Sequence, residues 1–100
     1  MKLKIFNYTS SDKAISYDDG KKCLDDILKY IDEEDVTLDF EGVQFAITAF
    51  LNPVIGNLII QKGAGIMDKI QIENANSNIV NKIVIVRDGA LLKREDDENK

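Results

Sequence analysis

The chain of 100 residues contains no histidine and no tryptophan, and it has one cysteine, Cys23, and one proline, Pro53. Without histidine, the sequence lacks the commonest general base and any Cys/His zinc cluster, and a single cysteine excludes an intramolecular disulfide. Cys23 itself falls on the apolar side of a predicted helix, where a thiol is typically inert. The sequence therefore predicts no catalytic residue, no metal site and no cofactor, and we expect a non-enzymatic protein.

Long apolar runs and an excess of positive charge are also lacking. No apolar run approaches the ~20 residues that span a bilayer, and the first residues do not form a signal-peptide apolar region. The 13 basic and 18 acidic residues give a net charge of −5, which disfavours attraction to a nucleic-acid backbone or an anionic membrane. We expect a cytoplasmic protein whose partner is neither a nucleic acid nor a membrane.

The composition is that of a globular domain, with 44% hydrophobic and 31% charged residues. A chain of this length supports one hydrophobic core, and no linker or repeat divides it. We predict a single domain over residues 1–95 and a short acidic tail over residues 96–100, which we expect to be disordered.

The spacing of apolar residues predicts strands and helices in alternation. In chain order, these are a strand over Lys2–Tyr8, a helix that begins at a Ser16 cap and reaches Ile31, a strand over Val36–Val43, a helix from Pro53, a strand within Ile66–Ala75 and a last helix. Short connections and right-handed crossovers then place the helices against a small, mostly parallel sheet. The predicted fold class is α/β, in the order β-α-β-α-β-α.

Two segments are ambiguous. Asn52 and Pro53 suit the cap and first position of a helix, whereas a start at Thr48 would place the proline a turn inside, at a cost of about 3 kcal/mol. We therefore expect a distorted first turn. Residues 77–93 form a helical stripe, but they also contain an Asp-Gly pair that is typical of a hairpin turn. We favour the helix.

The segment from Val36 to Asn52, VTLDFEGVQFAITAFLN, is followed by Ile-Gly-Asn-Leu at positions 55–58. It resembles the STAS-like family of bacterial and phage proteins of undefined function, which is similar to the STAS domains of anti-sigma-factor antagonists. The family pattern is an apolar strand that ends in Asp-Phe-x-Gly-Val, then a Ser/Thr-rich turn, a Phe and a helix with an Ile-Gly step. The resemblance extends from about Ser16 to Val84, and it implies a STAS-like sheet.

What the resemblance implies is a regulatory protein-interaction module that docks a partner, such as a histidine-kinase-like ATPase, around the start of a helix. The position that matches the family's phosphoacceptor is Thr48. The docking candidates are Phe45, Thr48, Ala49, Phe50 and Asn52. The residue before the acceptor, usually acidic, is Ile47 here, and the residue two beyond it, usually small, is Phe50. Thr48 is also explained as a turn or cap residue.

Other interpretations remain open. A homodimeric scaffold that pairs through an exposed sheet edge is one, and a small enzyme subunit is another. Asp39 and Glu41 are interpreted as solvated or helix-capping carboxylates because no base or metal ligand accompanies them. Gly42 is expected to supply a turn with positive φ, and Gly56 to allow close packing of a helix on the sheet.

Overall fold

The structure is a computed structural model that describes the backbone of residues 1–98 and the side chains of residues 1–93. The elements in chain order are β1 (Lys2–Lys4), α1 (Phe6–Thr9), β2 (Lys13–Ala14), α2 (Tyr17–Tyr30), β3 (Val36–Asp39), β4 (Phe45–Ala46), α3 (Thr48–Leu51), α4 (Leu58–Lys62), β5 (Ile70–Glu73) and α5 (Ser77–Glu98). A π-helical segment, Asn52–Asn57, joins α3 to α4, and a 3-10 segment, Ala64–Lys69, precedes β5. The α/β class and the mostly parallel pairing are confirmed.

The main sheet has three parallel strands in the order β1-β3-β5, with β3 in the centre. The register places Leu3 beside Leu38, and Leu38 beside Ile72. These residues alternate with Lys2, Thr37 and Gln71, whose side chains leave the sheet on the opposite face. One face therefore contributes to the core, and the other is polar. A separate pair of short parallel strands, β2 and β4, lies at the start of α3.

Helix α2 forms where the sequence predicts it. Its N-cap is Ser16, whose Oγ accepts a hydrogen bond from the Asp19 N–H at 3.2 Å. Its buried side chains include Cys23, Leu24 and Ile27, which recur on one helical face. The thiol of Cys23 is buried as expected, and this burial raises its pKa to about 12.

The last segment is a helix, so the favoured interpretation is confirmed and the hairpin is wrong. Asn76 caps α5, because its Oδ1 accepts a hydrogen bond from the Ile79 N–H at 2.9 Å. The helical stripe is buried at Ile79, Ile83 and Val86. Burial of this helical face stabilises the helix more than the Asp-Gly pair favours a turn. The predicted tail at 96–100 begins inside the last turn of α5 and ends outside the described residues, and its disorder stays a prediction.

The first strand is shorter than predicted. Ile5 already has helical dihedral angles, and the next residues form the single turn of α1 instead of extending to Tyr8. This turn directs Tyr8 toward α2, where its hydroxyl donates a hydrogen bond to Asp26 Oδ2 at 2.6 Å. A tertiary contact with α2 therefore overrides the alternating pattern of the sequence.

The prediction of a distorted helix around Pro53 is confirmed, but the predicted Asn52 cap is wrong. The helical backbone begins at Thr48, with Ile47 at the N-cap, and Asn52 itself has helical dihedral angles of φ −56° and ψ −50°. Pro53 therefore lies inside the helix, where it has no N–H to donate. The backbone accommodates it in a π-helical segment, whose wider hydrogen-bond spacing passes over the missing donor.

The core lies between the apolar face of the sheet and the helices. Its largest fully buried side chains include Phe40 from the end of β3, Phe50 from α3 and Ile27 from α2. Within the described part of the chain, no helix is both long enough and apolar enough to cross a membrane.

Candidate functional site

The short strands β2 and β4 determine which side chains the start of α3 exposes. The register pairs Lys13 with Phe45 and Ala14 with Ala46, and the Ile47 N–H donates to the Ala14 carbonyl at 3.0 Å. Both alanines of this pair are buried. Because strand side chains alternate, the flanking residues Phe45 and Ile47 point outward.

A cluster of exposed apolar side chains results. Ile15 is 52% exposed, Tyr17 50%, Phe45 49% and Ile47 38%. Ile15 directly follows β2 and Ile47 directly follows β4, so continuing the parallel register by one residue places them opposite each other, and Tyr17 is two residues further along, across the extended Ser16. With the exposed Thr48, these residues form what we call the entry surface. Adjacent exposed apolar groups mark interaction sites more often than single ones do.

Thr48 is the first residue of α3, and it faces solvent. No side-chain cap satisfies the start of this helix, although the N–H groups of Phe50 and Leu51 bond the Ile47 carbonyl at 3.1 Å. Within the described residues, the Thr48 hydroxyl has no hydrogen-bond partner. The structure therefore gives Thr48 no role as a cap, and it leaves the hydroxyl accessible.

The other predicted docking residues divide into two groups. Phe45 and Asn52 are exposed and Ala49 is half-buried, so all of them contribute surface near Thr48. Phe50 must be corrected, because its side chain is fully buried and belongs to the core. Its ring packs in the core below the turn at Thr48, so a partner cannot contact it.

A close helix contact holds this turn in place. A Cβ placed on Gly20 of α2 would lie 2.4 Å from the Phe50 carbonyl oxygen and 2.7 Å from Cγ of Pro53. Only glycine allows α2 to approach the backbone of α3 this closely. By contrast, Gly56 lies against Val86 of α5 and not against the sheet, so the expected role of Gly56 is wrong.

Asp39 is buried at the carboxyl end of β3, so its interpretation as a solvated or helix-capping carboxylate is wrong. Its Oδ1 accepts hydrogen bonds from Asn74 Nδ2 at 2.8 Å and from the Glu41 N–H at 2.9 Å. These two bonds lower the pKa of the carboxyl group, the Asn74 bond more strongly, and they outweigh burial, which acts in the opposite direction. Asn74 has a positive φ of 58°, and Gly42 one of 83°. Asp39 therefore closes the turns that follow β3 and β5.

A groove of about 540 Å³ separates α5 from the helix that starts at Thr48. Its lining includes Thr48, Asn52, Asn57 and Ile60 on one side and Ile85, Gly89 and Lys93 on the other. Sequence reasoning missed this groove, because it depends on how two distant helices pack. The available signal was that Ile85 is apolar but falls outside the stripe that α5 buries.

Residues 19–80 match the profile of a family described as a STAS-like domain of unknown function. This match covers more than half of the chain, including most of α2, the main-sheet strands β3 and β5, and the entry to α3. The chain belongs to this family. Comparison of the STAS-like domain with curated proteins and with solved structures gives no match.

The STAS-like family is not a known enzyme family, and the chemistry of this domain is limited. Cys23 is buried with a raised pKa, which disfavours the thiolate that a nucleophile requires. Among the described residues, no three Cys, Asp or Glu side chains converge as metal ligands. The arrangement that the fold does present is a surface: apolar side chains around an accessible hydroxyl at a helix start.

Proposed function

We propose that this STAS-like domain is a non-enzymatic, regulatory protein-interaction module that docks its partner through the entry surface. The observation that carries the proposal is the clustering of Ile15, Tyr17, Phe45 and Ile47, each at least 38% exposed, around Thr48. The resemblance to anti-sigma-factor antagonists supports the turn at Thr48 as the docking region. The module would act in the cytoplasm, in bacterial or phage signalling.

The energetics of the entry surface suit docking. Aromatic side chains such as Tyr17 and Phe45 supply large contact areas with few rotatable bonds, and aromatic residues are enriched in protein–protein interfaces. The backbone beneath them is fixed by the β2–β4 pair and by the contact of Gly20 with Phe50. A partner would therefore meet a preformed surface and would not have to order a loop.

Thr48 is the candidate switch within this surface. Its hydroxyl is exposed and has no partner among the described residues, so a kinase could reach it. A phosphate would add nearly two negative charges to an apolar docking surface on an already acidic chain. We propose that phosphorylation by a histidine-kinase-like ATPase changes affinity for the partner.

The phosphorylation part is tested by incubating the purified protein with ATP and a host-cell extract, followed by intact-mass measurement. We expect the mass of one phosphate on the wild type and on Thr9→Ala, the matched threonine control, but not on Thr48→Ala. Equal phosphorylation of Thr48→Ala would remove Thr48 from the proposal and leave docking to be judged separately.

Docking is tested with immobilised wild type, Phe45→Asp and Leu92→Asp in a quantitative capture from the host. Leu92 is also exposed and apolar, but it lies on α5. We expect a partner that Leu92→Asp retains and Phe45→Asp loses, because a charge at position 45 must be desolvated on docking. Identical capture by all three proteins would refute docking through the entry surface.

A further inference from the structure

The main sheet has an open edge at β1, because β1 pairs with β3 on one side and no other described strand pairs with it on the other. The N–H of Ile5, directly after β1, donates to the Asp39 carbonyl at 2.8 Å, so the main chain of Ile5 faces β3. Main-chain groups alternate in direction along a strand. The N–H and carbonyl groups of Lys2 and Lys4 therefore point toward the outer edge, where they are available to a further strand.

A depression of about 340 Å³ lies at β1, lined by Lys2, Leu3, Lys4, Asn7 and Tyr8. Leu3 and the ring of Tyr8 lie on the core side of the sheet, and the hydrogen bond to α2 holds the Tyr8 ring in place. The side chains of Lys2 and Lys4 leave the strand on the opposite, polar face. The edge thus has space for a strand, with an apolar wall on one face and ammonium groups on the other.

We propose that β1 binds an extended segment of a partner protein as an additional strand, and that apolar and acidic residues alternate in this segment. Main-chain hydrogen bonds give such an added strand its affinity, and the side chains on its two faces give it selectivity. Its apolar side chains contact Leu3 and Tyr8, and its carboxylates lie beside Lys4. The proposal concerns a surface other than the entry surface, and it does not rest on the proposed docking function.

Charge on the polar face of the sheet favours an acidic segment, and Lys4 is the residue that carries this preference. Lys2 already forms an ion pair with Glu73 at 2.9 Å. Lys4 is exposed and has no ion pair with a described residue. The register places Lys4 beside Asp39, but that carboxylate is buried and its Oδ1 accepts two other hydrogen bonds. A carboxylate on an added strand would therefore supply the opposite charge that Lys4 lacks on its outer side.

A second copy of β1 does not suit the same edge. In an antiparallel pair about a two-fold axis, Leu3 would lie opposite Leu3 of the second copy, and Lys2 opposite Lys4. Like charges directly opposite each other destabilise a pair of strands, and lysines on edge strands oppose pairing of identical edges in this way. An acidic strand meets no such repulsion, so the residues that disfavour self-pairing favour the proposed segment.

An NMR titration of the full chain tests the proposal, with a short peptide of alternating valine and glutamate added up to about 5 mM. We expect saturable shifts of the Lys2 and Lys4 amide signals, and no saturable shift with the same peptide carrying lysine in place of glutamate. Lys4→Glu should weaken binding of the glutamate peptide by about three- to tenfold. Lys22→Glu, the same charge change at an exposed position of α2, should leave binding unchanged. Circular dichroism verifies that each variant is folded.

Methylation of the peptide nitrogens gives a second measurement that needs no protein variant. An added strand directs every other N–H toward β1. Of two glutamate peptides, one methylated at its glutamate nitrogens and one at its valine nitrogens, we therefore expect one to bind and the other to lose binding. Equal binding by both would overturn the proposal, and so would the absence of a saturable shift with the unmethylated peptide or equal binding of the lysine peptide.

The same spectra distinguish the other occupants. Shifts of Phe45 and Ile47 in place of those at β1 would assign the peptide to the entry surface and overturn the proposal. Shifts of the Lys2 and Lys4 amides that depend on protein concentration, without any peptide, would assign the edge to a second copy of the chain, which also overturns it.

Discussion

Helix α2 and the helix that starts at Thr48 meet at Gly20, but they are built differently. Helix α2 runs regularly from a serine cap, whereas the other begins without a side-chain cap and changes to π-helical spacing at its proline. The start of α2 is stabilised locally, by the hydrogen bond from the Asp19 N–H to the Ser16 side chain. The irregular one depends on α2, because the close approach of Gly20 fixes its first turn. The comparison shows that the exposed turn at Thr48 is held by tertiary packing and not by local signals.

The largest effect should follow from filling the contact between the two helices. Gly20→Ala would place a methyl group 2.4 Å from the Phe50 carbonyl oxygen, so backbone must shift. We expect a loss of about 1–3 kcal/mol in the free energy of unfolding, measured by urea denaturation. Gly56→Ala is the matched control, since its nearest neighbour is at an ordinary 3.5 Å, and it should change stability by less than about 0.5 kcal/mol. Equal losses in both variants would contradict the dependence of the second helix on α2.

The next effect concerns the caps. Ser16→Ala removes the acceptor of the Asp19 N–H, and we expect it to cost about 1 kcal/mol. Ile47→Ser places a hydroxyl at the N-cap of the other helix, where none is present, and it should stabilise the protein by several tenths of a kcal/mol. Thermal unfolding of both variants measures the contrast. If Ser16→Ala is neutral, the regular helix does not depend on its cap.

Acid should destabilise α2 through Asp26, whose carboxylate accepts hydrogen bonds from Tyr8 and Lys29. The hydrogen bond from Tyr8 lowers the pKa of Asp26 below its ordinary value, followed in strength by the bond from Lys29, while burial opposes both. The stabilisation is therefore present above the ordinary carboxyl pKa of about 3.9, and it is lost as the pH falls toward the lowered value.

Tyr8→Phe should reduce this acid sensitivity, because it removes the hydroxyl that bonds Asp26 at 2.6 Å. Urea midpoints at a series of pH values between about 6 and 3 measure the effect in wild type and variant. Asp39, whose pKa is also lowered, supplies a second acid-sensitive contribution that Tyr8→Phe leaves unchanged. Parallel curves for the two proteins would show that the Tyr8–Asp26 bond does not contribute.

The smallest effect is expected for Thr48→Ala. Its hydroxyl makes no hydrogen bond with a described residue, and its side chain is exposed, so the free energy of unfolding should stay within about 0.5 kcal/mol. Chemical denaturation checks this directly. A larger loss would mean that Thr48 stabilises the turn, and its other effects could not then be attributed to the surface alone.

The sequence was sufficient wherever local rules and burial agree. Ser16 with the apolar spacing of α2 predicted that helix, and the stripe from Ile79 onward predicted α5. It also predicted that Pro53 would distort a helix, but it did not place the start of that helix, because Asn52 satisfies the local rule for a cap equally well. The resemblance identified the STAS-like family, which the match over residues 19–80 supports.

What the sequence could not provide depends on partners that are distant along the chain. Asp39 is buried because Asn74, 35 residues later, donates to it. Phe50 is buried because α2 packs against α3 at Gly20, while Phe45 is exposed because the β2–β4 pair turns it outward. Two phenylalanines five residues apart therefore have opposite environments, and no periodicity in the sequence distinguishes them.

The carboxylate of Asp39 connects two loops, because its Oδ1 accepts hydrogen bonds from both Asn74 Nδ2 and the Glu41 N–H. Two residues beyond Asn74, the amide of Asn76 donates to the Gln44 carbonyl at 2.8 Å, just before β4. The segment that leads to Thr48 is thus connected by a hydrogen bond to Asn76, the residue that caps α5. A displacement of the last helix would therefore reach the turn at Thr48 through the contact of Asn76 with Gln44, in addition to its effect on the apolar core.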